Sequence, residues 1–116
     1  GMTVTPSCPA LLVHEDDPFR RALIAALDRQ HFTVTYTESG AEAVKAMCEK
    51  PFKVILLSFA VPEALDYLRD HRRAGVILIA TPNPDVRNYA KVAEETLLKP
   101  VDPTYVAERA RAYCRD

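Results

Sequence analysis

Glycine is scarce in this chain, with three residues in 116, and tryptophan is absent. Gly1 precedes Met2 and reads as an expression scar, while Gly40 and Gly75 fall at helix boundaries. No Gly-rich phosphate cradle is left, which argues against dinucleotide and P-loop functions. Charge of either sign is not in excess: 15 basic and 16 acidic side chains leave a net -1. That balance gives no electrostatic footprint for nucleic acid or an anionic membrane. No apolar run approaches the roughly 18 residues that a membrane span needs. No signal-peptide pattern precedes the first strand. The three cysteines, Cys8, Cys48 and Cys114, are scattered and show no C-x-x-C spacing. They read as free thiols in a reducing, cytoplasmic compartment, with Cys48 and Cys114 on helix faces that look buried. What is present is 48% hydrophobic residues, enough to close a core in one domain.

Residues 1–9 form a ragged leader with two prolines, and residues 10–116 the domain. The strongest element is Lys53 to Ser58, in which four apolar residues run without a break and a hydroxyl follows. Bounded by Pro51 and Pro62, it reads as a strand buried on both faces. Ala10 to His14 is a first strand, and Asp17-Pro18 opens a helix to about Gln30. Phe19, Leu23, Ala26 and Leu27 share its inner face. Phe32 to Thr37 alternates as an edge strand. Ser39 to Glu42 is a capping box for a helix that buries Val44, Met47 and Cys48. Pro62 opens a third helix to about Ala74, closed by Gly75 as its C-terminal glycine. Val76 to Ala80 is another apolar strand. Asn83-Pro84 starts a fourth helix striped by Val86, Tyr89, Ala90 and Ala93. Thr96 to Leu98 is a short last strand. Asp102-Pro103 starts the last helix, with Val106, Ala110, Tyr113 and Cys114 inward. Five strands alternating with five helices predict an α/β, doubly wound (βα)5 three-layer sandwich on a parallel sheet.

Strands of a parallel sheet end on one edge, and open α/β sheets carry their chemistry there. The residues just past those ends are Glu15 and Asp16, Ser58, Thr81 and Lys99. Singly each has a plain explanation, such as a helix-end charge, a turn residue or a solvated lysine. Jointly they point to a shared site. His14 beside two acids is weak evidence for a metal. As a base for Ser58 it lacks an oxyanion hole, so hydrolase chemistry is not expected. His71, Arg72 and Arg73 suit a helix C-terminus better than nucleic acid.

Four stretches resemble the receiver domain of response regulators: residues 11–18 (LLVHEDDP), 54–62 (VILLSFAVP), 79–81 (IAT) and 97–100 (LLKP). The resemblance implies a CheY-like, flavodoxin-like sheet of order 2-1-3-4-5. It implies that Glu15 and Asp16 match the acidic pair that holds Mg²⁺. Thr81 matches the phosphoryl-contacting hydroxyl. Lys99, before a proline often joined by a cis bond, matches the phosphoryl-pairing lysine. The departure is Ser58, where the family keeps the aspartate that accepts the phosphoryl group. A serine hydroxyl is neither a ready nucleophile nor a good Mg²⁺ ligand. The loop after Pro62 looks shortened, and the switch position of the last strand, commonly aromatic, is Thr96.

The expected protein is therefore an atypical receiver without the phosphoacceptor, not an enzyme. Metal binding would be weak or absent at Glu15 and Asp16, with no cofactor. It would act by protein contact in two-component signalling. A homodimer face is expected from the fourth helix, last strand and last helix. That face carries Arg87, Lys91, Glu94, Glu95, Arg109 and Arg111. The alternatives are a receiver phosphorylated elsewhere in the site and a small flavodoxin-like ligand-binding or enzyme domain.

Overall fold

The computed structural model describes residues 7–115. The parallel sheet comprises β1 (Cys8–Val13), β2 (Phe32–Thr37), β3 (Val54–Ser58), β4 (Gly75–Ala80) and β5 (Glu95–Leu98). Its order is β2-β1-β3-β4-β5, as the resemblance implied. The helices are α1 (Pro18–Arg29), α2 (Gly40–Glu49), α3 (Pro62–His71) and α4 (Pro103–Arg111). Between β4 and β5 lies a 3-10 helix, Pro84–Tyr89, where the stripe predicted an α-helix. The expected (βα)5 count therefore closes with four α-helices. Ala90, assigned to the inner stripe, is exposed, and the buried positions are Val86 and Val92.

Alternation along the strands feeds two cores. Ala10 and Leu12 of β1, Val54 and Leu56 of β3, and Ile77 and Ile79 of β4 face α1 and α4. Leu11, Val13, Ile55, Leu57, Val76 and Leu78 face α2 and α3. Every residue of β3 is buried, as a central strand requires. β2 is one edge, β5 being the other, and on β2 Tyr36 stays 54% exposed with Arg20 over its ring.

Helix starts follow the sequence signals. Asp17 accepts from the Arg20 N–H at 2.8 Å, Ser39 from Glu42 N–H at 3.1 Å, and Asp102 from Thr104 N–H at 2.8 Å. Helix ends do not. α3 stops at His71, and Gly75 opens β4 without a positive φ. Gly75 is small because a Cβ there would collide with the Tyr113 ring. The left-handed position is taken by His31, at φ 66°, just past α1.

The cysteines also depart from expectation. Cys8 and Cys114 form a disulfide with Cα atoms 5.7 Å apart, and Cys48 is free but exposed rather than buried. Cys8 opens β1 instead of belonging to a leader. The pair meets because β1 is an inner strand and α1 and α4 pack on the same face of it, so Cys8 and Cys114 reach one core. Among the described residues no helix is long and apolar enough to cross a membrane.

Candidate functional site

The carboxyl ends of β1 and β3 and the residue after β5 meet in a small polar cluster. β1 hands over directly to His14, whose backbone N–H donates to the Thr37 carbonyl at 3.0 Å. That bond extends the sheet pairing by one residue and turns the imidazole inward, where it is 0% exposed. A buried imidazole needs partners for both ring nitrogens. Nδ1 lies 2.8 Å from the Glu15 carbonyl oxygen, which only accepts, so Nδ1 carries the proton. Nε2 lies 2.9 Å from Lys99 Nζ, and an ammonium only donates, so Nε2 accepts. The two bonds together select the neutral Nδ1–H tautomer.

Lys99 is thereby committed. Its ammonium donates to His14, stands 4.4 Å above the Phe19 ring and lies 4.0 Å from Glu15 Oε1. Lys99 is joined to Pro100 by a cis bond, as the resemblance implied. Its N–H donates to the Ala80 carbonyl at 2.8 Å, which fixes where the side chain departs.

Ser58, the last residue of β3, is 4% exposed. Its hydroxyl donates to Glu15 Oε2 at 3.1 Å and accepts from the Ala60 N–H at 3.2 Å. The turn behind it is short. Phe59, Ala60 and Val61 alone separate β3 from α3, and the Val61 N–H returns to the Ser58 carbonyl at 3.0 Å. This agrees with the shortened loop expected from Pro62. Ala60 N–H, Ser58, Glu15, Lys99 and His14 thus form one connected polar group.

The expected acidic pair is not assembled. Asp16 turns out to Arg20 Nη2 at 3.1 Å and Arg21 Nε at 3.6 Å. The second acid near the cluster is Asp17, whose Oδ1 lies 3.7 Å from His14 Nδ1 while it caps α1. Burial pushes the Asp17 carboxyl up, but the Arg20 N–H bond together with the nearby His14 and Lys99 outweighs it, and the net shift is downward. Thr81 is exposed past β4 and makes no side-chain hydrogen bond among the described residues. Thr96 is half-buried in β5 opposite Leu78, away from the cluster. Of the expected site residues, Glu15, Ser58 and Lys99 come together, and Asp16, Thr81 and Thr96 stand apart.

A Mg²⁺ site does not fit these residues. Mg²⁺ takes oxygen ligands, mainly carboxylates, in a near-octahedral arrangement. Ser58 supplies a neutral oxygen already bonded twice, Asp16 is held by two arginines, and Lys99 stands where a cation would be repelled. His14, Glu15 and Asp17 do bring ligand-type atoms within 4.8 Å of one another. Both ring nitrogens of His14 are already engaged. His14 is the residue that sequence reasoning undervalued. A histidine closing an apolar central strand, with a lysine expected on the same sheet edge, was the available sign.

No family model matches the chain. Among solved structures, the receiver domain from Methanospirillum hungatei JF-1 superposes with a TM-score of 0.80 at 16% identity. It covers 92% of this chain and 93% of that one. The chemotaxis response regulator CheY4 of Vibrio cholerae gives 0.79 at 18% identity, covering 93% and 99%. The chain has a CheY-like receiver fold. The response regulator TrrA of Thermotoga maritima, solved with Mg²⁺ and BeF, also shares that fold, with a TM-score of 0.79 at 18% identity over 91% and 98%. By sequence, the transcriptional regulatory protein SrrA of Staphylococcus aureus is 27% identical over 113 aligned residues. That match covers 90% of this chain and 47% of the relative. The chain therefore spans about half the length of the curated relatives it matches. On this receiver fold, Ser58 occupies the last position of the third strand, at the sheet edge where the polar cluster forms.

Proposed function

We propose that this receiver-fold domain works in two-component-type signalling by protein contact, without accepting a phosphoryl group and without a resident metal. The observation that carries the reading is the bonding of Ser58 and Lys99. The hydroxyl is spent on Glu15 and Ala60, and the ammonium is spent on His14. An acceptor carboxylate would have drawn Lys99 and a divalent cation to the same point. Here Glu15 and Asp17 lie around the His14 ring and one ammonium, Lys99, so the ammonium already has its counter-charges. We assign the domain no catalysis of its own.

The partner is a protein. The face of β5, α4 and the 3-10 helix remains the proposed contact surface, but its charges are not all free for it. Glu94 pairs with Arg72 at 2.9 Å, Glu95 with Arg109 at 2.7 Å, and Arg111 donates to the Gln30 carbonyl at 3.3 Å. Arg87 and Lys91 are left exposed, a basic pair suited to an acidic partner rather than to a symmetric copy.

One observation favours a second reading. Glu15 Oε2 lies within hydrogen-bond reach of the Ser58 hydroxyl, the position a general base would take for phosphorylation of Ser58 itself. Incubation with acetyl phosphate and Mg²⁺ followed by intact-mass measurement separates the two. The contact reading expects no adduct. A stoichiometric phosphoryl adduct that resists hydroxylamine and vanishes in Ser58→Ala would replace it with the second.

A further inference from the structure

We propose that the Cys8–Cys114 bridge is a thiol–disulfide exchange site for small thiols and disulfides of the glutathione class, and that its opening unhooks the C-terminal turn from β4 and β5. The two sulfurs differ in access. Cys8 is 4% exposed, and its backbone is tied to the His31 carbonyl at 3.1 Å. Cys114 is half-buried on the turn that follows α4 and is the more exposed of the two, which makes it the preferred point of attack for an entering thiolate. Attack there breaks the Cys8–Cys114 bond and forms a mixed disulfide on Cys114. Cys8 leaves as a thiolate and takes up the proton that the first small thiol lost. A second small thiol, ionised in the same way, attacks the small-molecule sulfur of the mixed disulfide. Cys114 departs and takes the second proton. The sum is one protein disulfide plus two small thiols giving two cysteine thiols plus one small disulfide, and the reverse reaction closes the bridge. Once reduced, the Cys114 thiol has the Ala110 carbonyl 3.9 Å away as an acceptor.

What the bridge holds is Tyr113, its immediate neighbour. α4 ends at Arg111, and the next residues are kept in place by turn bonds, by Tyr113 and by the disulfide. The Tyr113 ring fills the space that a side chain at Gly75 would need, at the start of β4. Its hydroxyl donates to Glu95 Oε2 at 2.5 Å, at the start of β5, and Arg109 Nε donates to the other oxygen of that carboxylate at 2.7 Å. A covalent bond beside this aromatic hook therefore sets whether the end of the chain stays docked on two strand starts. Tyr113 also supplies a readout, because burial and the Glu95 carboxylate push its hydroxyl up to about 12. The exchange site does not depend on whether Ser58 takes phosphate.

The test uses the whole chain in glutathione buffers, oxidised or reduced at millimolar concentration. Thiols are counted by mass after denaturation and alkylation, thermal melting is recorded, and tyrosinate is followed by ultraviolet absorbance with pH. Tyr113→Phe identifies the Tyr113 component. The proposal expects an intact bridge in the oxidised buffer, with Cys48 alone carrying an alkyl group or a glutathione, and three alkylated cysteines in the reduced one, reversibly. It expects a fall in Tm of about 10 °C on reduction, matched by Cys114→Ser in either buffer. It expects the Tyr113 midpoint to move from about 12 toward its ordinary 10. Three thiols in the oxidised buffer would overturn it, since the bridge then never forms. A bridge that stays shut in reduced glutathione would make it a fixed staple. Opening with no movement of the Tyr113 midpoint would remove the hook.

Discussion

Ser58→Asp places a carboxylate where the hydroxyl now donates to Glu15 Oε2 at 3.1 Å. Two like charges at about 4 Å in a medium of effective dielectric near 20 repel by about 4 kcal/mol. The Glu15 side chain is 44% exposed, and solvent screening removes about half of that. The net cost is about 2 kcal/mol, or a Tm lower by about 8 °C for a chain of this size. Millimolar Mg²⁺ should return most of the loss, because the second carboxylate supplies the ligand that the native cluster lacks. The assay is thermal melting of the native chain, Ser58→Asp and Ser58→Asn, each with and without Mg²⁺. The native chain and the asparagine variant should be indifferent to the ion. A native chain stabilised by Mg²⁺ as strongly as the aspartate variant would refute the reasoning, for Ser58 would then not be what keeps the metal out.

Three other outcomes follow from the same geometry. His14→Phe keeps the apolar packing but strips Lys99 of its acceptor, and should cost about 1–3 kcal/mol by urea unfolding. At acid pH, the Arg109 and Tyr113 bonds outweigh the upward push of burial and hold the Glu95 carboxyl below its ordinary 4.5. Its contribution is present above 4.5 and lost as pH falls through the lower folded value, so Arg109→Ala should flatten the acid limb of the stability profile. At alkaline pH the sign reverses. Tyr113 stabilises while protonated, and its contribution fades as pH rises from 10 through about 12. Tyr113→Phe should flatten that limb in unfolding measured against pH.

Much of the architecture was legible because a few stretches admit one reading. Val54–Leu57 is apolar without interruption and too short for a helix, and with Ser58 it is the buried central strand. Asp17-Pro18 and Asp102-Pro103 announce their helices through caps that the structure shows bonded. The segment from Val86 to Ala93 was misread because alanines weigh little in a stripe. Val86 is the one buried residue of the segment that winds, a 3-10 helix ending at Tyr89, and Val92 is buried beyond its end. At the site, Glu15, Ser58 and Lys99 followed from the shared edge of a parallel sheet. Asp16 did not, because two adjacent aspartates offer no choice of direction from pattern alone. Arg20, four residues on, was the sign that Asp16 would face outward. The Cys8–Cys114 pair was invisible at a separation of 106 residues, since only the docking of α4 beside α1 brings the ends together.

The six-residue 3-10 helix Pro84–Tyr89 has a consequence of its own. Three-residue hydrogen-bonded turns have poorer geometry than α-helical ones, and runs of this length are uncommon. Its grip on the rest of the molecule is narrow: Val86 and Val92 buried, Tyr89 edge-on to Phe59 at 5.5 Å, and Arg69 over the Tyr89 ring. Amide hydrogens of this corner should accordingly exchange sooner than those of the inner strands. A partner bearing on Arg87 and Lys91 would press on this lightly held turn, beside β5 and outside the three inner strands β1, β3 and β4.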